Sequence, residues 1–232
     1  FGLDTLQDGV QVRKRVGYLP ADMKLYEKMT GDQLLRYLSN LREDTDWGLV
    51  GELRERLEAN LSQSIRTLSR GNKQKIGLIQ AFMNRPELII MDEPTSGLDP
   101  LVQQEFYRIL DDVKADGRTV FISSHNMQEV ERVCDRVGII RSGEIVAVDD
   151  MHDLKERSMH KFEIHFSGPV SVDVFHAVDG IKDVVIEGNI VLCTVMGKPD
   201  ALIRAATSFE ILRLISYEPS LEDIFLSHYG GN

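Results

Sequence analysis

Long apolar runs and cysteines are both scarce in this sequence. Its apolar stretches, such as Ile190 to Met196, fall far short of the ~20 residues that a membrane-spanning helix requires. Any membrane role is therefore expected to depend on a partner protein. The only cysteines, Cys134 and Cys193, are well separated and lack the spacing of a metal site, which indicates a reducing compartment and no structural disulfide.

Basic residues are also scarce relative to acidic ones. The 232 residues include 27 lysines and arginines against 37 aspartates and glutamates, which gives a formal net charge of −10. Binding to nucleic acid gains its free energy from cationic side chains that displace counterions from phosphates. We therefore expect no nucleic-acid partner. With 42% apolar and 28% charged residues, the composition is otherwise that of an ordinary globular protein.

The first part of the chain predicts one strand followed by helices. Arg15 to Leu19 has the pattern of a short strand. Thr30 and Gln33 form the pattern of a capping box, and the apolar residues after them recur at helical spacing. A second helix is predicted from about Trp47 to Leu57. Residues 22–66 are therefore expected to form a small helical subdomain.

From Ser69 onward, predicted helices alternate with predicted strands, which is typical of a mostly parallel sheet. The strand at 88–91 is apolar on both faces, as expected for a central strand covered by helices on each side. The predicted elements are helix Ser69–Asn84, strand Leu88–Met91, helix Pro100–Ala115, strand Thr119–Ser123, helix Met127–Cys134 and a hairpin of Val137–Ile140 with Glu144–Val148.

The C-terminal part of the chain changes to a β-α-β-β-α-β order, which is that of a ferredoxin-like unit. We therefore expect two domains, at residues 1–150 and 159–232. The predicted elements of the second domain are strand Phe162–Phe166, helix Val172–Val178, strands Val184–Ile186 and Val191–Val195, helix Asp200–Thr207, strand Leu212–Ser216 and a final helix Leu221–His228.

Two adjacent carboxylates, Asp92 and Glu93, follow the buried strand at its C-terminal end, where open α/β sheets place their ligands. They could be solvated loop residues, but Pro94 stops the strand, Gly97 permits a turn and a helix follows. An apolar strand that ends in Asp-Glu is the Walker B arrangement. In that arrangement the Asp binds Mg²⁺, usually through water, and the Glu orients and deprotonates the attacking water.

Ser69 and Gly71 lie at the predicted N-terminus of a helix whose apolar positions recur at helical spacing. Free amides at the positive end of a helix make a site for a terminal phosphate. Ser69 also has the simpler role of an N-cap. The two roles are compatible, because an anion site needs free amides beside the cap.

Asp99 and His125 each occupy a boundary between two elements. Asp99 precedes Pro100 in the pattern of an N-cap followed by proline at the first helical position, so a purely structural role is a strong alternative there. A single histidine at a strand end is more often incidental than catalytic. His125, however, follows the strand that should lie beside the carboxylates in a parallel sheet, which favours a role at that site.

Taken together and in this order, these motifs resemble the ATP-binding cassette (ABC) family over roughly residues 1–150. The resemblance implies an α/β fold, with a partial P-loop NTPase-like cassette and a helical subdomain, followed by the small α+β ferredoxin-like domain. Pro219 to Phe225 is similar to the accessory tail of cassette subunits that serve antibiotic and multidrug exporters. The resemblance implies that Leu68–Lys75 is the signature segment, that Ser69, Gly71 and Asp99 contact ATP, that Asp92 binds Mg²⁺ and that Glu93 and His125 are catalytic.

The sequence also departs from the family pattern. It contains no Gly-x-x-x-x-Gly-Lys-Ser/Thr, the Walker A loop that cradles the β- and γ-phosphates. Because the chain begins at Phe1 and not at Met, we interpret the cassette as truncated before that loop. Ala21 stands where the family usually has Gln after Tyr-Leu-Pro. Arg70 and Asn72 replace the commoner Gly and Gln of the signature segment.

The resemblance implies an ATPase subunit that uses ATP and Mg²⁺ to energise an integral membrane permease, in the export direction. It would be cytoplasmic, peripheral on the inner face of the cell membrane, and paired with a second cassette subunit as a homodimer or heterodimer. Without a Walker A loop, this chain alone is expected to be inactive. A non-catalytic dimerisation or regulatory module is the alternative, which the retained Asp92, Glu93 and His125 disfavour. A cassette ATPase acting on ribosomes or DNA is disfavoured by the acidic charge.

Overall fold

The structure, a computed structural model, describes residues 1–42, 45–156, 159–176, 178, 180–196, 198–217 and 221. The chain divides into two compact units, Phe1–His125 and Asn126–Asn232. The domain boundaries at 150 and 159 stay predictions. Within the described ranges, no helix combines the length and the apolar character needed to cross a membrane.

A parallel three-stranded sheet forms the centre of the first unit, with the order β1-β2-β3. Its strands are β1 (Val16–Leu19), β2 (Leu88–Asp92) and β3 (Thr119–Ser123). The middle strand buries Ile89 and Met91 completely, as its apolar pattern predicts. Because β2 and β3 are parallel and in register, Asp92 pairs with Ser123 at one edge of the sheet. The predicted parallel sheet is thus confirmed.

Three helices of the first unit begin directly after the capping residues that the sequence indicates, Thr30, Ser69 and Asp99. The Thr30 side chain accepts a hydrogen bond from the Gln33 amide, and the Gln33 side chain accepts one from the Thr30 amide, which confirms the capping box. A 3-10 turn, Ile65–Thr67, precedes the fourth helix. The five helices of the described part of this unit are α1 (Gly9–Arg15), α2 (Gly31–Ser39), α3 (Trp47–Arg56), α4 (Arg70–Phe82) and α5 (Pro100–Ala115).

Helix α4 approaches β1 unusually closely, and a glycine permits it. A Cβ added at Gly17 would overlap the carbonyl oxygen of Ala81 and crowd the ring of Pro86. Helix α4 contributes Ile76, Leu78 and other fully buried side chains to the core. This packing holds the C-terminal end of α4 against β1.

The second unit begins with a helix and a hairpin and continues with a four-stranded antiparallel sheet in the order β7-β8-β6-β9. This order and the two helices packed on the sheet confirm the predicted ferredoxin-like arrangement. The predicted helix Leu221–His228 lies outside the described residues except for Leu221. The elements are α6 (Met127–Val133), β4 (Arg136–Arg141), β5 (Glu144–Asp150), α7 (Met151–Glu156), β6 (Met159–Phe166), α8 (Val172–His176), β7 (Ile181–Glu187), β8 (Ile190–Met196), α9 (Asp200–Ala206) and β9 (Ile211–Tyr217).

The second unit has a hydrophobic core of its own. Alternate residues of β6 and β8 point to the face on which α8 and α9 pack, and Phe175 and Leu202 of those helices are fully buried there. Cys193 belongs to this core, where burial raises the pKa of its thiol to about 11. Cys193 is thus a free thiol in the position of a small buried hydrophobic residue.

Candidate active site

Asp92 lies at the C-terminal end of β2 and is held by a neighbouring strand. The Ser123 hydroxyl, at the end of β3, donates a hydrogen bond of 2.5 Å to Asp92 Oδ1. The sheet register places these two residues side by side, so the contact follows directly from the parallel pairing. One carboxylate oxygen is thereby fixed, and the carboxylate stands at the sheet edge where such folds bind their ligands.

Glu93 and His125, predicted to act together, are in direct contact. Glu93 Oε1 accepts a hydrogen bond from the backbone amide of His125 (3.0 Å) and lies 2.7 Å from His125 Nδ1. The Glu93 side chain is 27% exposed, whereas that of His125 is 87% exposed. The Glu93 carboxylate is therefore held on one side, and the His125 imidazole is largely exposed to solvent.

The backbone of Glu93 is in the left-handed region, with φ of +49°. A non-glycine residue in that region costs about 1–3 kcal/mol, so surrounding contacts must maintain it. Two contacts do so: the Glu93 amide donates to the Ser123 carbonyl (2.9 Å), and the Glu93 carbonyl accepts from Gln74 Nε2 (3.3 Å). The same Gln74 amide donates to the Pro94 carbonyl at 2.9 Å.

Ser69 caps α4, and its hydroxyl oxygen accepts a hydrogen bond from the Asn72 amide at 3.2 Å. This hydrogen bond is the N-cap contact that the sequence predicts for Ser69. Asn72 also ties the start of α4 to the helical subdomain, because its side chain accepts from the Asn60 amide and donates to the Asn60 carbonyl, both at 2.8 Å. The asparagine that departs from the usual signature residue thus has a specific structural contact.

The first turn of α4 packs against the loop that follows Glu93. A Cβ at Gly71 would overlap the carbonyl oxygen of Gly97, so glycine is needed for this approach. Gly97 itself has a φ of +79°, which favours glycine at the turn. Arg70 donates a hydrogen bond of 2.9 Å to the Ser96 hydroxyl. The start of α4 and residues 93–99, which we call the carboxylate loop, are therefore in direct contact.

Asp99 caps α5, as the Asp-Pro pair predicts, with its Oδ1 accepting from the Val102 amide at 3.1 Å. This backbone hydrogen bond lowers the pKa of the Asp99 carboxyl, and the charge of Lys75 acts in the same direction. Asp99 follows the loop that contacts α4, six residues after Glu93. Asp99 therefore caps α5 and lies at the end of the loop that begins at Glu93.

Comparisons with known proteins identify the family of this chain. A family model with the description "AAA domain, putative AbiEii toxin, Type IV TA system" matches residues 13–131. An uncharacterised ABC transporter ATP-binding protein of Alkalihalophilus pseudofirmus is 33% identical over 223 residues, which cover 93% of this chain and 83% of that protein. The chain belongs to the ATP-binding proteins of ABC transporters.

A solved structure and a second relative support the same assignment for this ABC protein. A structure described as the ATP-binding subunit of an ABC transporter superimposes with a TM-score of 0.60 at 28% identity, over 66% of each chain. The linearmycin resistance ATP-binding protein LnrL of Bacillus subtilis is 33% identical over 65% of this chain and 50% of its own length. Other curated relatives are matched over 45%, 60% and 62% of their lengths.

The contacts of three residues of this candidate site were not predicted from the sequence: Gln74, Ser123 and Arg70. For Gln74 a signal existed, because it lies on the same helical face as the buried Leu78 and Phe82, and a polar residue in that position needs a hydrogen-bond partner. Ser123 and Arg70 act through contacts between elements. Those contacts depend on sheet register and helix packing, which a single sequence does not specify.

Proposed function

We propose that this chain is the catalytic part of the ATPase subunit of an ABC exporter, with Glu93 as the general base. The observation that carries this proposal is the hydrogen-bonded pair of Glu93 and His125 at the edge of the sheet, beside Asp92. A carboxylate that is fixed by a backbone amide and by an imidazole is suited to orient a water molecule and accept its proton. His125 would contact the γ-phosphate with its exposed imidazole.

Asp92 would hold Mg²⁺, for which its chemistry is appropriate. Mg²⁺ in nucleotide sites binds through one or two carboxylates together with phosphate and water oxygens. Asp92 is a single carboxylate with one oxygen engaged by Ser123, which leaves the other for the ion or its water. When bound, Mg²⁺ would neutralise phosphate charge, while the protein would fix the position of the carboxylate.

The start of α4 would serve the nucleotide of a second cassette subunit. Ser69 and Gly71 lie at the N-terminus of a helix of 13 residues, and amides at that end favour a negatively charged phosphate. Asp99 would lie in the loop that crosses between the two subunits. We propose a head-to-tail dimer with an identical or a related cassette, each subunit completing the other's site.

The transport direction and the permease partner are also proposals. Relatives named for linearmycin resistance and for multidrug transport support an exporter that removes antibiotic-like compounds. The helical subdomain, which contains α2 and α3, would contact an integral membrane permease. This arrangement requires the protein to lie on the cytoplasmic face of the membrane, with no nucleic acid among its partners.

The test is ATP turnover of this chain beside a version extended at its N-terminus by the segment encoded upstream. Because the 232 residues contain no Walker A motif, we expect them alone to be inactive and the extended version to hydrolyse ATP. In the extended protein, Glu93→Gln should lower turnover by ~10²–10⁴-fold and leave ATP binding unchanged. Glu87→Gln, at the opposite end of β2, is the matched control and should retain turnover.

The second candidate is a non-catalytic ABC module that dimerises or regulates. The absence of a Walker A motif from the sequence favours it, whereas the intact contact between Glu93 and His125 favours the ATPase. An upstream segment without a phosphate loop, together with no ATP turnover in the extended protein, would support the module. Copurification with a polytopic membrane protein, as opposed to ribosomes, would test the transport assignment.

A further inference from the structure

One face of the antiparallel sheet in the second unit, the open face, has described side chains from all four strands that are exposed or partly exposed to solvent. The opposite face is covered by α8 and α9, which bury Phe175 and Leu202 against it. On the open face, Val185 of β7 is 51% exposed and Tyr217 of β9 is 49% exposed. Large apolar side chains that remain exposed on a sheet are a feature of interaction surfaces.

The strand register arranges the residues of this open face in three rows. The middle row is apolar except at Glu163, and the outer rows contain most of the charges. In the order β7, β8, β6, β9, the rows are Asp183–Thr194–Lys161–Tyr217, Val185–Leu192–Glu163–Ile215 and Glu187–Ile190–His165–Arg213.

The central carboxylate of the open face already has its hydrogen-bond partners within the sheet. Glu163 accepts a hydrogen bond from the Tyr217 hydroxyl (2.8 Å) and contacts His165 Nε2 (2.6 Å). These contacts hold the pKa of the Glu163 carboxyl below its ordinary value, the His165 contact being the larger cause. A carboxylate that is satisfied in this way can be covered by another surface at a smaller desolvation cost than an unpaired one.

The charges at the two edges of the open face are opposite in sign. The β7 edge presents the carboxylates of Asp183 and Glu187, and the β9 edge presents the guanidinium of Arg213. A face with an acidic edge and a basic edge is complementary to a copy of itself that is turned by 180° about an axis parallel to the strands. That rotation exchanges the two edges.

We propose that the open face of the second unit binds the same face of a second copy of this chain through such a twofold axis. Packed sheets keep their strands within about 30° of each other, so β7 of one copy then lies over β9 of the other. Glu187 faces the second copy's Arg213, and Val185 faces its Ile215. A twofold axis perpendicular to the strands would instead place each acidic edge over itself, which is unfavourable.

The size of the face sets the expected strength of this contact. Four strands ~4.8 Å apart and about seven residues long, at ~3.3 Å per residue, cover roughly 19 by 23 Å. This projected area of roughly 400 Å² is below the ~800 Å² that each partner buries in a standard interface. We therefore expect a dimer that forms and dissociates with concentration. It requires no nucleotide and is independent of the proposed ATPase site.

The charge pairs provide the first test, by sedimentation equilibrium of the whole 232-residue chain without nucleotide. Glu187→Arg and Arg213→Glu should each weaken dimerisation about tenfold or more, because every substitution acts twice in a symmetric dimer. The double variant E187R/R213E should restore the affinity. Lys198→Glu, a reversal at an exposed loop residue before α9, is the control and should have no effect.

A cross-linking test identifies the relative orientation of the two chains and shows what covers the open face. In a Cys134→Ser background, a mixture of the Val185→Cys and Ile215→Cys chains should form a disulfide between unlike chains, with far less product from either chain alone. A monomeric wild-type chain, single charge variants that dimerise normally, or equal cross-linking of Val185→Cys to itself would each overturn the proposal. Protection of both thiols in a monomer would show that another part of the same chain covers the face.

Discussion

The position of the Glu93 carboxylate depends on three residues from separate parts of the first unit: β3, α4 and the loop after β3. The carbonyl of Ser123 in β3 accepts a hydrogen bond from the Glu93 amide, and the side chain of Gln74 in α4 donates one to the Glu93 carbonyl. His125 is hydrogen-bonded to the Glu93 carboxylate. A residue with positive φ keeps its conformation only while such contacts persist. Substitutions that never touch a nucleotide should therefore change the activity that we assign to Glu93.

Gln74→Ala is expected to be destabilising and to slow ATP turnover. The side chain is buried, and its loss leaves the carbonyls of Glu93 and Pro94 without their donor. A buried acceptor left unsatisfied costs ~1–3 kcal/mol. Urea denaturation measures the stability of the chain, and steady-state kinetics of the N-terminally extended protein measures turnover.

Gln104→Ala is the matched control for this substitution, since Gln104 is exposed on α5. It should change stability by less than about 0.5 kcal/mol, as exposed substitutions usually do. If Gln74→Ala behaved like Gln104→Ala in both measurements, the role of Gln74 in positioning Glu93 would be refuted.

Gly71→Ala and Gly51→Ala should have effects of opposite sign, although both glycines lie in helices. A Cβ at Gly51 meets no atom within 4 Å, so alanine there should stabilise α3 by ~0.5–1 kcal/mol through its higher helix propensity. A Cβ at Gly71 would overlap the Gly97 carbonyl and force α4 away from the carboxylate loop. Thermal unfolding of the two variants distinguishes them, and an increase in stability for Gly71→Ala would contradict this packing.

At the scale of elements, a cluster of charges joins the end of α3 to α5. The Arg56 guanidinium donates to Glu105 Oε1 at 2.5 Å and to Asp112 Oδ2 at 2.8 Å. Both Arg56 and Glu105 are largely buried, with side chains 24% and 20% exposed. This pair links the helical subdomain to the helix that follows the carboxylate loop.

The same pair predicts a pH dependence of stability. The hydrogen bond from Arg56 lowers the pKa of the Glu105 carboxyl below its ordinary value of 4.5. A lowered pKa in the folded state contributes stability above the unfolded value, and that contribution is lost as the pH falls through the folded pKa. The stability difference between wild type and Glu105→Gln should therefore be largest near neutral pH and shrink in acid. Denaturation at several pH values, with the exposed Glu55→Gln as control, measures it.

Element boundaries were predictable where capping and burial patterns coincide. Helix α5 and strand β3 have the predicted bounds, because Asp99 and Pro100 start the helix and the β-branched run 119–123 forms the strand. Helices α1 and α7 were not predicted. Helix α1 has only Gly9 buried, so it lacks the apolar periodicity by which a helix is recognised.

The sequence predicted which segments of the chain form the candidate site, but it did not predict most of the contacts between them. Strand-end positions brought Asp92, Glu93 and His125 to one edge, since a parallel sheet aligns its C-terminal ends. The positive φ of Glu93 has no sequence signal, because non-glycine residues rarely adopt it. The contact of Arg70 with Ser96 also depends on helix packing that local patterns do not contain.

At the scale of the whole molecule, each of the two units has its own hydrophobic core. Phe106 of α5 is completely buried in the first unit. Phe175 of α8 is completely buried in the second, where its ring packs against Phe166 and Phe209. A domain with its own core can unfold as a separate cooperative unit.

Calorimetry of two core variants and one surface variant tests this division. Phe106→Ala and Phe175→Ala should each cost ~3–5 kcal/mol, because each removes a fully buried ring and leaves a cavity. We expect each to lower mainly the unfolding transition of its own unit. Phe121→Ala is the control in the first unit, since Phe121 is 62% exposed and its loss creates no cavity. A single transition that both core variants lower equally would show instead that the chain unfolds as one cooperative unit.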